Sequence, residues 1–205
     1  MNFSTLKAIV LDANKKGLLI ILSGPSGVGK ETVRNRLMKI KNFELVYSIS
    51  MTTRSPRNQE VDGVNYYFVS EEEFKRNIAN DNFLEYARFV GNYYGTPRDK
   101  VEALRQQGHN VLLEIEINGA KQVMSKVKDD AVISFFLMPP SLDALEGRIR
   151  KRKTESEEVI AERLQKGKEE MTLTDDYDYV ILNDKVNRAA EEISDLIMRK
   201  LKELQ

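Results

Sequence analysis

The chain has 205 residues, 41% of them hydrophobic, and its 32 Lys and Arg residues balance 32 Asp and Glu residues. This composition indicates a globular protein with one substantial core, and it excludes a net charge that would attract nucleic acid or an anionic membrane. The absence of cysteine excludes disulfides and cysteine-based metal sites and suits the reducing cytoplasm, and the apolar runs are too short to cross a bilayer.

The first predicted elements are a strand, a glycine-rich turn and a helix. Residues 1–16 are expected to form a cytoplasmic N-terminal extension. The apolar run Leu18–Ser23 predicts a buried strand, and the spacing of apolar residues from Lys30 to Ile40 predicts a helix. The turn between them reads Gly24-Pro25-Ser26-Gly27-Val28-Gly29-Lys30.

This turn predicts a phosphate-binding loop. Glycines permit the backbone angles that aim successive N–H groups at one anion, and Lys30 and the helix dipole add positive charge. The common motif places Ser or Thr after the lysine as a ligand of Mg²⁺, but this chain has Glu31 there. We expect Glu31 to be a solvated carboxylate of the first helical turn and Thr32 to bind a phosphate. The residues expected to bind the nucleotide are Gly24, Pro25, Ser26, Gly27, Val28, Gly29, Lys30, Glu31 and Thr32.

Beyond the loop, short apolar runs alternate with helical spacing. This alternation predicts an α/β protein, a three-layer α/β/α fold with a parallel core sheet. Strands are expected at Val111–Glu116, Val132–Met138 and Tyr179–Leu182, and helices at Val101–Gln107, Gly119–Val127 and from Ala189 to Leu204.

Two regions interrupt this alternation. Residues 48–97 are rich in Tyr, Thr, Arg and Asn, which suits an inserted subdomain with a functional surface. Residues 141–170 form a charged helical pair that suits a mobile lid. Within the pair, Thr154-Glu155-Ser156-Glu157 fits a capping box at a helix start.

Acidic and basic residues near these elements suggest phosphate chemistry. Glu114 and Glu116 alternate at the end of a predicted buried strand, so they are expected to share one face. Mg²⁺ is a natural partner for Glu114, and a structural salt bridge is the alternative; Glu116 is expected to face substrate. Arg54 and Arg57 suit the oxygens of a second, phosphate-bearing substrate.

Spaced motifs make the sequence resemble the guanylate kinases. Their signature matches Thr52-Thr53-Arg54-x-x-Arg57-x-x-Glu60-x-x-Gly63-x-x-Tyr66-x-Phe68. The likeness continues through Gly91-Asn92-Tyr93-Tyr94-Gly95-Thr96, Glu114-Ile115-Glu116-x-x-Gly119-Ala120-Lys121, Pro139-Pro140-Ser141 and Val180-Ile181-Leu182-Asn183-Asp184. It covers roughly residues 17–200.

The resemblance implies transfer of a phosphoryl group from ATP to GMP, with Mg²⁺. It implies that Glu85 accepts from the guanine N1–H and amino groups while Ser50 and Thr96 donate to O6. The residues implied to bind GMP are Ser50, Arg54, Arg57, Tyr66, Glu85, Tyr94, Gly95, Thr96 and Glu116. The residues implied to act in catalysis are Lys30, Arg54, Arg148, Arg152 and Arg163, and Asn183 is implied to bind ATP.

The resemblance also implies a division of the chain. The core comprises 17–49, 98–140 and 171–205, the GMP-binding subdomain 50–97 and the lid 141–170. Arg150 is expected to be solvated, and Lys153 replaces a glycine common in the family, a change expected to stiffen the lid turn. The expected partners are GMP and ATP alone, without nucleic acid, membrane or obligatory protein. Two alternatives are a non-catalytic interaction module with this fold and a kinase for another nucleoside monophosphate.

Overall fold

The computed structural model describes residues 16–151 and 156–205. The described strands are β1 (Leu19–Ser23), β2 (Leu45–Tyr47), β3 (Met51–Thr52), β4 (Tyr67–Phe68), β5 (Phe83–Phe89), β6 (Asn92–Pro97), β7 (Asn110–Glu114), β8 (Val132–Met138) and β9 (Tyr179–Leu182). The described helices are α1 (Lys30–Leu37), α2 (Glu71–Ala79), α3 (Arg98–Gln106), α4 (Ile117–Lys126), α5 (Leu142–Arg150), α6 (Glu157–Glu170) and α7 (Val186–Glu203).

A five-stranded parallel sheet forms the centre of the core, in the order β2-β7-β1-β8-β9. Successive residues of β1 enter opposite cores: Ile20 packs with residues of α1 and α7, and Ile21 packs with residues of α3 and α4. Both faces of β1 are therefore covered, which explains its unbroken apolar sequence. The predicted three-layer α/β/α arrangement is confirmed.

A second, mixed sheet contains the four strands that follow β2 and precede α3, in the order β4-β3-β6-β5. β3 pairs parallel with β4 and antiparallel with β6, and β5 and β6 form an antiparallel hairpin. Phe74 of α2 stacks on Phe83 and Tyr93, with ring centroids 4.4 and 5.2 Å away. This stacking attaches α2 to the hairpin.

Helices α5 and α6 form the predicted charged pair, joined by the apolar contacts of Leu145, Ile149 and Ile160. Ser156 occupies the N-cap position of α6, so the helix starts later than a capping box on Thr154 requires; Thr154 itself lies outside the described residues. Within the described parts of the chain, no helix has both the length and the apolar character needed to cross a membrane.

Candidate active site

The turn between β1 and α1 has the backbone geometry expected of a phosphate-binding loop. Gly24, Gly27 and Gly29 have φ angles of 144°, 86° and 98°, in the region that favours glycine. The Nζ of Lys30 donates to the backbone oxygen of Gly24 at 2.6 Å and to that of Pro25 at 3.3 Å. The lysine ammonium therefore lies against the loop.

The buried position of Lys30 disfavours the positive charge of its ammonium group. Burial lowers its pKa below the usual value, although the negative charges of Glu114, Glu116 and Glu170 act in the opposite direction. Burial removes water from the ammonium and disfavours its charged form. An anionic ligand in the loop would restore part of that lost stabilisation.

Helix α6 reaches the same loop at Ser26. Arg163 donates from Nη2 to the Ser26 hydroxyl oxygen at 2.8 Å, and the Ser26 backbone N–H donates to Oε2 of Glu170 at 3.2 Å. Helix α6 therefore contacts Ser26 through one positively charged and one negatively charged side chain. Arg163 lies beside the phosphate loop, as its expected role requires.

Arg148 of α5 bridges the loop to the end of β9. Its Nη1 donates to the Val28 oxygen at 2.8 Å and its Nη2 to the Asn183 oxygen at 2.6 Å. The Asn183 side chain also donates to the Val28 oxygen, at 2.8 Å, and its Oδ1 is buried with no hydrogen-bond partner among the described residues. These hydrogen bonds hold the Arg148 guanidinium against the backbone of the loop and the end of β9.

A cavity of about 920 Å³ lies between the core sheet and the mixed sheet. Most of the residues predicted to bind the second substrate line it. These are Ser50, Tyr66, Glu85, Tyr94, Gly95 and Glu116, together with Glu114. Side chains that are distant in sequence thus converge beside the phosphate loop's own helix.

Glu85 places a carboxylate deep in this cavity. It lies on β5 and is 8% exposed, and burial raises its pKa above the usual range. Thr96 donates its hydroxyl proton to Oε1 of Glu85 at 2.6 Å. A side chain at Gly119 would crowd the carboxylate, since a Cβ there would lie 2.9 Å from Oε2. The Thr96 hydroxyl is therefore engaged with Glu85 and does not point a free donor at a guanine O6.

Glu60 organises the two expected phosphate-binding arginines. Its two carboxylate oxygens accept from Nη1 and Nη2 of Arg54, both at 2.9 Å. The Arg57 backbone N–H donates to the same carboxylate at 2.7 Å, while the Arg57 side chain is exposed. The Arg54 guanidinium also lies over the Tyr66 ring, 5.4 Å from its centroid.

Glu114 forms an ion pair, the alternative left open by the sequence. Its Oε2 lies 3.0 Å from Nη1 of Arg34, and the Arg34 guanidinium lies 4.5 Å from the centroid of the Tyr47 ring. Burial nevertheless raises the Glu114 pKa. The predicted strand end at Glu116 is wrong, because β7 ends at Glu114 and Glu116 occupies the N-cap position of α4. Glu114 and Glu116 nevertheless line the same cavity.

Three comparisons bear on the identity of this site. The family model described as guanylate kinase matches residues 16–200. The guanylate kinase of Bacillus cereus is 52% identical over 185 residues, which are 90% of this chain and 89% of that protein. The crystal structure of a guanylate kinase from Anaplasma phagocytophilum gives a TM-score of 0.70 at 34% identity, covering 91% of this chain and 87% of the other.

The chain belongs to the guanylate kinase family. The guanylate kinase of Mesoplasma florum is also 52% identical over 185 residues, 90% of this chain but only 62% of that protein. Two Mycoplasma relatives are covered over 61% of their lengths. The chain thus spans about three fifths of these longer relatives.

The family motif residues at the start of α1 face solvent. Glu31 has a side chain that is 70% exposed and lies 3.6 Å from Arg34, in the first helical turn where it was expected. Thr32 is also exposed, so the structure leaves its hydroxyl outside the loop interior. Arg152 and Lys153 lie outside the described residues.

The contacts of three residues of the site, Arg34, Glu60 and Glu170, are not predicted by the sequence. Arg34 lies on the same face of α1 as Lys30, four residues along, and that spacing was its only signal. Glu60 stands in the family signature without an obvious partner, and Glu170 is separated from Ser26 by 144 residues. A long-range contact of this kind leaves no local pattern in the sequence.

The residues present fit Mg²⁺ held mainly by phosphate oxygens. In the part of the chain that the structure describes, no cluster of three or more His, Cys, Asp or Glu side chains could hold a metal ion. Mg²⁺ commonly uses one or two carboxylates together with phosphate oxygens and water. Glu114, a half-buried carboxylate near the loop lysine, can supply one such ligand.

Proposed function

We propose that this protein transfers the γ-phosphoryl group of ATP to GMP and releases ADP and GDP. Membership of the guanylate kinase family supports the reaction class. The observation that carries the choice of acceptor is Glu85, a buried carboxylate that lines the cavity. Guanine presents two adjacent donors, N1–H and the 2-amino group, that one carboxylate can accept.

Adenine would leave the Glu85 carboxylate buried without those donors. A site built to pair with a ligand's polar groups rejects analogues that lack them by about 10⁴–10⁵. In this proposal Thr96 holds Glu85 in place through their 2.6 Å hydrogen bond. Ser50, rather than Thr96, supplies the donor for O6.

The acceptor phosphate would bind near Arg54, Arg57, Tyr66 and Tyr94. Arg54 is already oriented by its two hydrogen bonds to Glu60, which reduces the entropy lost when a phosphate binds. Gly95 and Glu116 complete the proposed GMP site. These assignments are proposals, as is the subdomain boundary at residues 50–97.

The donor would bind the loop from Gly24 to Lys30, with its adenine near Asn183. The buried Asn183 Oδ1, which has no hydrogen-bond partner among the described residues, suits an amino group of the base. The proposed core is 17–49, 98–140 and 171–205, and the proposed lid is 141–170. Arg148, Arg152 and Arg163 belong to this lid.

The chemistry proposed is positioning and charge neutralisation. A phosphate monoester is largely ionised at neutral pH because its second pKa is near 6, so the acceptor oxygen needs little help from a base. Lys30 and the lid arginines hold the two anions in line and stabilise the transferring group. Mg²⁺, with Glu114 as its proposed protein ligand, would offset charge on the ATP phosphates. A cytoplasmic location is part of the proposal and is supported by the absence of cysteine.

A coupled assay for ADP tests this function, with GMP, dGMP, AMP and dTMP offered in turn beside Mg·ATP. Turnover restricted to guanine nucleotides is the expected result. Turnover with AMP or dTMP would move the assignment to another nucleoside monophosphate kinase. Failure with all four, while GMP still binds in calorimetry, would make the chain a non-catalytic binding module.

A further inference from the structure

Glu170 presents a carboxylate to a loop that is built for anions. It is the last residue of α6, yet its side chain is only 14% exposed. Its Oε2 accepts the Ser26 backbone N–H at 3.2 Å. Backbone N–H groups in a glycine-rich turn are the donors that phosphate oxygens take, so a protein carboxylate here occupies one of them.

Two cationic side chains of α6 lie near Glu170 and its partner Ser26. Lys166 Nζ lies 3.6 Å from Oε1 of Glu170, and Arg163 holds the hydroxyl of the same Ser26 at 2.8 Å. The charge of Glu170 also acts on the buried Lys30. The carboxylate therefore lies within the electrostatic reach of the cations expected to receive the donor's phosphates.

We infer that Glu170 is an internal anion of the phosphate loop that competes with the polyphosphate of the donor nucleotide. The inference deepens the proposed function and rests on it for the identity of the donor. When the polyphosphate arrives, Glu170 either leaves the Ser26 N–H or remains as a like charge beside it. Both alternatives weaken binding, and the first breaks one of the contacts that hold α6 on Ser26.

The same arrangement links donor affinity to the lid. Glu170 and Arg163 are seven residues apart on α6, about two helical turns, so they present to one side of the helix. A donor phosphate repels Glu170 and attracts Arg163, and it therefore favours a change in how α6 rests on Ser26. Glu170 thus acts as a positioning residue, because its effect passes through the loop and the helix.

The test removes the charge and keeps the hydrogen-bond acceptor. Glu170→Gln retains an oxygen for the Ser26 N–H, and calorimetry measures its affinity for tripolyphosphate without divalent cations. We expect Glu170→Gln to bind tripolyphosphate about three- to tenfold more tightly than the unsubstituted protein in low salt, and the gain to shrink as salt screens the charges. Adenosine, which carries no phosphate, should show no gain.

Glu169→Gln is the matched control. Glu169 is the exposed neighbour on the same helix, and its Oε1 accepts from Gln165 Nε2 at 2.7 Å. This variant loses the same formal charge away from the loop, so its affinity should change less than twofold. An equal gain in both variants would overturn the inference, because net charge rather than position would then be the cause.

Unchanged or weaker tripolyphosphate binding by Glu170→Gln would also overturn it, since Glu170 would then only brace the loop. Should that variant lose its cooperative thermal transition, Glu170→Ala replaces it with the same expected gain and the same refuting result. The assay of GMP turnover tests the proposed function and does not depend on the inference about Glu170. If the protein shows no GMP turnover but Glu170→Gln binds tripolyphosphate more tightly, the proposed function is refuted and the inference about Glu170 is retained.

Discussion

The Thr96 hydroxyl donates a 2.6 Å hydrogen bond to the Glu85 carboxylate inside the cavity between the two sheets. Burial raises the Glu85 pKa, and this hydrogen bond opposes the rise. Thr96 and Glu85 are paired across the β5–β6 hairpin, so their contact is fixed by strand register. The hairpin therefore holds a buried, already oriented carboxylate in the cavity where the guanine base is proposed to bind.

Glu85→Gln should impair use of GMP. The amide presents an N–H group or an oxygen where the carboxylate accepts from two donors, so one guanine donor loses a charged partner. We expect kcat/KM for GMP to fall about 100-fold or more, with discrimination against AMP reduced. Glu71→Gln, an exposed change on α2, is the control in steady-state assays. Unaltered GMP kinetics in Glu85→Gln would exclude the base-binding role.

The same substitution should stabilise the protein without ligand at neutral pH. An acid whose pKa is raised by folding favours the folded state below its unfolded pKa, near 4.5, and this contribution is lost as the pH rises through the folded pKa. The buried charge is therefore a cost at pH 7 that glutamine lacks. Thermal melts between pH 5 and pH 8 should show Glu85→Gln gaining on the unsubstituted protein as pH increases. A gap that narrows with pH would contradict the sign.

Glu60→Gln should raise the KM for GMP while changing kcat little. The substitution replaces the bidentate contact with Arg54 by a neutral amide, so the guanidinium loses part of its fixed orientation. Restoring that orientation on binding costs entropy, and we expect about a tenfold increase in KM. A lower KM would instead identify Glu60 as a competitor of the substrate phosphate for Arg54.

Arg148→Met and Arg150→Met form a matched pair on α5. Arg148 donates to the carbonyls of Val28 and Asn183, whereas Arg150 makes exposed ion pairs with Glu146 and Glu157. Exposed pairs contribute little to stability. Because Arg148 is a proposed lid cation that contacts the loop, Arg148→Met should raise the KM for ATP and lower kcat by about 10²-fold or more. Arg150→Met should change KM and kcat by no more than about twofold. Equal effects of the two would refute a specific role for Arg148.

The core elements were predictable because their pattern is local. β8 and β9 match the predicted Val132–Met138 and Tyr179–Leu182. β8 is buried on both faces, which explains its continuous apolar run, whereas β9 is an edge strand whose Val180 and Leu182 are exposed. The β5–β6 hairpin was missed because only the first three residues of Phe83–Phe89 are buried. Helix α2 was missed as well, because Phe74 is its single buried residue.

The site was predictable only where a motif spans a few residues. Gly24 to Lys30 form a loop whose chemistry can be read from spacing. The partner of Glu114 could not be read in this way, because Arg34 lies 80 positions earlier and meets it only after α1 packs over the sheet. The hydrogen bond from Thr96 to Glu85 could not be predicted either, because it depends on the register of the neighbouring strands β5 and β6.

Lys30→Met should separate activity from stability. In the proposed reaction Lys30 neutralises charge on the transferring phosphoryl group, so its loss should lower kcat about 10³-fold or more. Burial lowers the Lys30 pKa, and a base with a lowered folded pKa destabilises the fold at every pH where it stays charged. Methionine removes that cost, so the melting temperature without ligand should equal or exceed that of the unsubstituted protein. A clear drop would mean that the bonds from Lys30 to Gly24 and Pro25 hold the loop together, and that its main role is structural.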